Sequence, residues 1–194
     1  MLHIASSDLA GRRSPDSKEA LPSGPLGQLV REVARACDGP VARMGEPIMS
    51  ALAAAAADPA LVTAGQCQPE AERYARNVLY ADPEGCFTIL ALVWGAGQFS
   101  PPHAHHAWCA YAVRSGALRE TLYAYDEASG LARPAGVAVR RVGYACFADS
   151  GLDQIHRLGN ADDEAAISIH VYGVARDRIA THVNRIVEVA PPEG

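Results

Sequence analysis

The sequence predicts a mainly β protein, a small β-barrel with an N-terminal helical region. Three observations carry this. Apolar residues recur at helical spacing in the first third of the chain. From Cys86 onward the texture changes to short runs rich in Val, Ile, Tyr and Ala, punctuated by Gly, Pro, Asp and Asn. The 194 residues, 49% of them hydrophobic, suffice for one sizeable core, and no linker separates two globular halves.

Residues 1–24 are rich in Ser, Pro, Gly and charge and are expected to form a flexible lead-in. That leaves 25–194 as a single domain, with helices over 25–80 and the barrel over 86–190. Leu26, Leu29, Val30, Val33 and Cys37 mark a first helix. A second spans Pro47 to Ala57 and ends at Asp58-Pro59, because proline cannot continue a helix. A third is expected over 69–79, PEAERYARNVL. The strand runs are FTILALVW, AWCAYAV, ALRETLYAY, GVAVRRV, YACFAD, AAISIHVYG and RIVEVA. Runs at this spacing suit a sandwich or barrel.

Composition excludes several classes. With a net charge of −5 and no long basic run, nucleic acid is not an expected partner. No apolar stretch reaches the roughly 18 residues of a membrane span. The first residues, MLHIASSDLAGRR, lack the basic-then-apolar pattern of a secretory leader. Five irregularly spaced cysteines read as free thiols in a reducing compartment, so a cytoplasmic location is expected.

The chemistry concentrates in PPHAHHAWC, residues 101–109. Alternate residues of a strand share a face, so His103 and His105 point the same way and His106 points away. Two imidazoles so placed reach one metal ion, and a third ligand must come from His156, His170 or His182. In AAISIHVYG the same rule puts Ser168, His170 and Tyr172 on one face. A hydroxyl, an imidazole and a phenol in a row mean that the face is either wet or lines a polar pocket. Trp94 and Trp108 read as barrel packing, and Cys37, Cys67, Cys86 and Cys146 as small packing residues.

The spacing around the histidines is more specific. Gly97, five residues, the HxH pair, three residues, Cys109, six residues and Gly116 resemble the first signature of the cupin superfamily, with Cys109 standing where a glutamate is usual. Gly143, Asp149-Ser150-Gly151, His156 and Asn160 resemble the second signature. Its loop is two residues longer here, and Asp149 replaces a proline. This resemblance implies a cupin barrel with His156 as the third ligand. Three neutral imidazoles leave a divalent ion its full charge and open positions, which favours a thiolate.

From Glu72 to Gly173 the chain further resembles the thiol dioxygenases, the cysteine dioxygenase and 3-mercaptopropionate dioxygenase group. CAYAVRSGALRETLYAY (109–125), ERYARN (72–77) and ISIHVYG (167–173) carry the resemblance. It implies Fe(II) on His103, His105 and His156, and oxidation of a small carboxylate-bearing thiol by O2 to a sulfinic acid. It implies Arg76 as the carboxylate clamp, with Tyr74 close by. Ser168, His170 and Tyr172 match an outer relay. Cys109 matches a cysteine that in some members joins the tyrosine in a thioether, although the interval from His105 is one residue shorter than in the animal enzymes. Arg76 points to the cysteine branch. HVYG and the short HAHHAWC interval point to the bacterial mercaptocarboxylate branch, with 3-mercaptopropionate or mercaptosuccinate as substrate. Arg176 and Arg178 would then either meet a second carboxylate or face solvent. Two readings of other classes stand beside these: a non-catalytic metal- or ligand-binding cupin, and a zinc hydrolase-like site.

Overall fold

The computed structural model describes residues 21–191. Most of the expected lead-in, with His3, lies outside the described residues.

Ten strands form two five-stranded antiparallel sheets. The first runs in the order β1 (Ala75–Ala81), β2 (Thr88–Trp94), β9 (Ala166–Tyr172), β4 (Cys109–Ser115), β7 (Ala145–Ala148). The second runs in the order β10 (Asn184–Ile186), β3 (His103–His105), β8 (Gly151–Gly159), β5 (Ala117–Asp126), β6 (Leu131–Arg141). Their inner faces meet through Leu90, Leu92, Trp94, Tyr111 and Val113 on one side and Leu118 and Leu158 on the other.

Two helices cover the outer face of the first sheet. Helix α1 (Gly24–Cys37) has Pro25 in its first turn, where the missing N–H is harmless, and buries Leu29, Val30 and Val33. Helix α2 (Gly45–Ala57) buries Ile48 and Leu52. These side chains pack on Ile89, Ala91, Val93, Ala110, Ala112, Ile167 and Ile169. Strands β2 and β4 are therefore apolar on their outer face and largely apolar on their inner face, which explains their near-continuous apolar runs, whereas β9 is apolar outside and turns Ser168, His170 and Tyr172 inward. At the end of α2, Arg114 donates to the carbonyls of Ala56 (2.8 Å) and Asp58 (2.7 Å), satisfying groups that the helix cannot. Gly116 makes the tight β4–β5 turn at φ +70°, and a Cβ there would lie 2.9 Å from that of Ala166.

The expected architecture holds, a mainly β barrel with helices first, but two elements differ. No third helix spans 69–79, and the helical region does not reach residue 80. Instead Ala75–Ala81 is strand β1, and the barrel starts there. Helix-forming residues at 70–76 are overridden because β2 offers this segment a full antiparallel ladder, from Ala75↔Val93 to Ala81↔Thr88. A bulge between Val78 and Tyr80 lets both Leu79 and Tyr80 pack on the helical core, which hides the period of two. Strand β8 was not among the expected runs; its Asp153, Gln154 and Arg157 are exposed and give it no apolar signature.

Candidate metal centre and substrate cavity

Strands β3 and β8 build the centre. His103 and His156 are direct partners across the ladder, and a register shift after His103 brings His105 round beside them. Ring centroids lie 4.7 Å (His103–His156), 5.2 Å (His103–His105) and 5.2 Å (His105–His156) apart. One nitrogen from each falls within 4.8 Å of the other two, the one such group of three among the described residues.

These residues fit a metal. The His103 Nδ1 lies 2.8 Å from the Pro101 carbonyl, and the His156 Nδ1 lies 2.6 Å from Glu120 Oε1, so each ring keeps its Nε2 for the centre. The buried His105 Nδ1 has no hydrogen-bond partner among the described residues. Burial, reinforced by His156, lowers the pKa of His103 to about 3 and of His105 to about 2. Both are neutral at pH 7, the form that binds metal. The sign of the linkage follows. Below pH ~6.5 the unfolded chain takes up protons that these two histidines refuse when folded, so metal-free stability falls as pH drops from 6.5 towards 3. Each contributes a slope of up to ~1.4 kcal/mol per pH unit. Urea melts between pH 7 and 4 are expected to show this slope, and His105→Leu to flatten it; identical slopes would contradict it.

A further residue of the centre, Glu120, is not singled out by the sequence. It is buried on β5, and its second oxygen accepts from Arg140 Nε at 2.7 Å. Bonds from His156 and Arg140 outweigh burial and hold its carboxyl below the usual range. Alternation along RETLY, with Arg119 and Thr121 turned outward, was the available signal. Cys109 lies opposite Tyr172 in the β4–β9 ladder, with its Sγ 3.3 Å from His105 Nε2. Burial pushes its thiol pKa well up, so it stays protonated.

The inward face of β9 carries the relay anticipated from alternation. Ser168 Oγ lies 2.8 Å from His170 Nε2, and His170 Nδ1 lies 3.0 Å from the Tyr172 hydroxyl. Trp94, expected only to pack, donates its indole N–H to Ser168 Oγ at 2.9 Å. An indole can only donate. Ser168 accepts there, and its buried hydroxyl has no acceptor but His170 Nε2 among the described residues, so the arrangement that leaves no buried donor unused sends its proton to that nitrogen. Burial pushes the His170 pKa well down, so the ring is neutral and carries one proton, on Nδ1. That proton goes to the Tyr172 oxygen. The phenol, whose pKa burial raises, keeps its own O–H to donate elsewhere.

Arg76 and Tyr74 close the other side. Arg76 Nη2 donates to the Tyr74 hydroxyl at 2.7 Å, and Tyr74 stacks on Trp94 at 4.3 Å. Arg76 lines one cavity with the three histidines, Cys109 and Tyr172. No carboxylate among the described residues pairs with it. Arg176 and Arg178 are exposed and sit away from this cavity; Arg178, His106 and His182 border a separate surface depression.

The family model for cysteine dioxygenase type I matches residues 42–185, well over half the chain. The chain belongs to the cysteine dioxygenase type I family. It is 32% identical over 105 residues to cysteine dioxygenase type 1 of Danio rerio, covering 52% of this chain and 51% of that protein. It is 30% identical over 123 residues to that of Homo sapiens, covering 59% and 60%. The alignments thus span about half to three-fifths of these relatives. Among solved structures, a Klebsiella pneumoniae protein with a double-stranded β-helix domain aligns over 61% of this chain and 88% of its own, at 16% identity and TM-score 0.46. An oxalate oxidase bound to glycolate aligns over 60% and 61%, at 15% identity and TM-score 0.43.

Proposed function

We propose that this chain is a non-heme Fe(II) thiol dioxygenase that converts a small carboxylate-bearing thiol and O2 to the sulfinic acid. The observation that carries the reading is the shared cavity: three convergent imidazoles, two of them held neutral by burial, beside an unpaired guanidinium and a phenol with a free proton. Membership of the cysteine dioxygenase family supports it. Fe(II) held by His103, His105 and His156 would supply the point at which sulfur and dioxygen meet.

The chain's own residues do the rest. Arg76 grips the substrate carboxylate and so fixes where the thiol lies. Leu92, Trp94 and Leu158 line the cavity and limit water. Tyr172 offers its proton to the reacting oxygen or to the substrate, because His170 already satisfies its oxygen. Trp94→Phe removes the donor that sets this order, and kcat is expected to fall about five-fold, the equivalent of ~1 kcal/mol for one neutral hydrogen bond. An unchanged kcat would show that the relay direction has no part in turnover.

The same cavity supports the mercaptocarboxylate reading. Its described lining holds no carboxylate, so no acidic side chain is placed to pair with a free ammonium group. Oxygen uptake with cysteine, 3-mercaptopropionate and mercaptosuccinate, alongside metal analysis, tests the proposal. No uptake with any of them would leave a binding cupin, and full activity with zinc alone would end the iron assignment.

A further inference from the structure

The three histidines are not equivalent. Behind His103 stands a neutral carbonyl, that of Pro101. His105 Nδ1 has no hydrogen-bond partner among the described residues. Behind His156 stands a buried carboxylate, Glu120, at 2.6 Å, whose other oxygen is paired with Arg140. The β5–β8 ladder explains the contact. Leu122 is the direct partner of His156 and Glu120 that of Leu158, so Glu120 sits diagonally from His156.

We infer that Glu120 is the positioning residue of the centre, supplying through His156 the negative charge that no side chain among the described residues supplies directly. The inference rests on the metal-site reading above. Cys109, at the position where a carboxylate ligand would stand, falls outside the group of three. An anion on the far nitrogen of a ligating imidazole fixes its tautomer and orientation and raises the basicity of the near nitrogen. Glu120 does this for one histidine only, which makes His156 the strongest donor of the three.

Arg140 sets how much of that charge reaches the centre. Its Nε bonds Glu120 Oε2 at 2.7 Å, and its guanidinium lies 4.2 Å over the Tyr144 ring. The guanidinium therefore has a fixed seat, and both carboxylate oxygens are held. Glu120 and Arg140 have opposite effects on the centre, Glu120 adding electron density at His156 and Arg140 withdrawing it.

The test uses the full chain, stripped of metal and titrated with Co(II) against a competing chelator, and then with Fe(II) for redox titration. Glu120→Gln keeps the shape and still accepts a bond, but carries no charge. It is expected to lose 10- to 100-fold in Co(II) affinity. Its Fe(III)/Fe(II) potential should rise, because the oxidised ion loses more from the missing charge. Arg140→Gln, which frees the carboxylate, is expected to shift the potential down. This second variant keeps the inference testable if the first does not fold. Wild-type affinity and potential in Glu120→Gln would overturn the inference, as would weaker affinity without any shift in potential, the mark of a purely structural role. Failure of the wild-type chain to bind Co(II) or Fe(II) would overturn the metal-site reading with it.

Discussion

His156→Ala is expected to yield a folded protein that retains no stoichiometric metal. Two imidazoles remain, and they come from one strand. The third point of the triangle comes from β8, and no other described histidine, cysteine or carboxylate joins the group. The variant also takes a hydrogen bond from buried Glu120, but Arg140 still holds that carboxylate. The stability loss should therefore stay near the ~1–3 kcal/mol of one unsatisfied buried acceptor. Metal content of purified protein, read with a thermal melt, checks both parts. Stoichiometric metal in the variant would mean that the ligand set is wrong. His182→Ala is the control, since that residue is exposed and away from the cavity, and it is expected to keep its metal.

Arg76→Ala is expected to raise the KM for a carboxylate-bearing thiol by about 10- to 150-fold, the equivalent of the roughly 1.5–3 kcal/mol of a charge-assisted bond. The effect is large because no second Arg or Lys lines the cavity and no carboxylate among the described residues pairs with Arg76. Arg76→Lys should recover only part of the loss, since a point charge cannot form the two parallel bonds of the fork. A thiol without a carboxylate should respond little to either substitution. Steady-state kinetics on such a pair of thiols reads the difference. An unchanged KM for the acid would remove Arg76 from the clamp.

Arg76 also shows where sequence reasoning slipped without losing the residue. Its segment contains good helix formers and reads as a helix, yet the short local motif that singles out Arg76 does not depend on the element that carries it, and the strand places the residue on the cavity of the three histidines. The strand assignment depended on β2, 12 to 18 residues downstream, and on a bulge that scrambles alternation. Trp94 and Glu120 were missed for a different reason. Each is a polar group inside an apolar or charged run, and its role exists only through a partner far along the chain: Ser168, 74 residues away, for Trp94, and His156, 36 residues away, for Glu120.

The chain alone determined what is local. Short apolar runs punctuated by Gly, Pro, Asp and Asn were enough for the barrel, and the spacing in HAHHAWC and AAISIHVYG for the facing histidine pair and the Ser168–His170–Tyr172 row, because side-chain direction along a strand repeats every second residue. What only the folded molecule decided is which groups meet across strands. The shift in the β3–β8 ladder that gathers three imidazoles, the carboxylate behind one of them and the indole that orders the relay all come from cross-strand registers. Register is set by the packing of whole sheets, so no short stretch of sequence contains it.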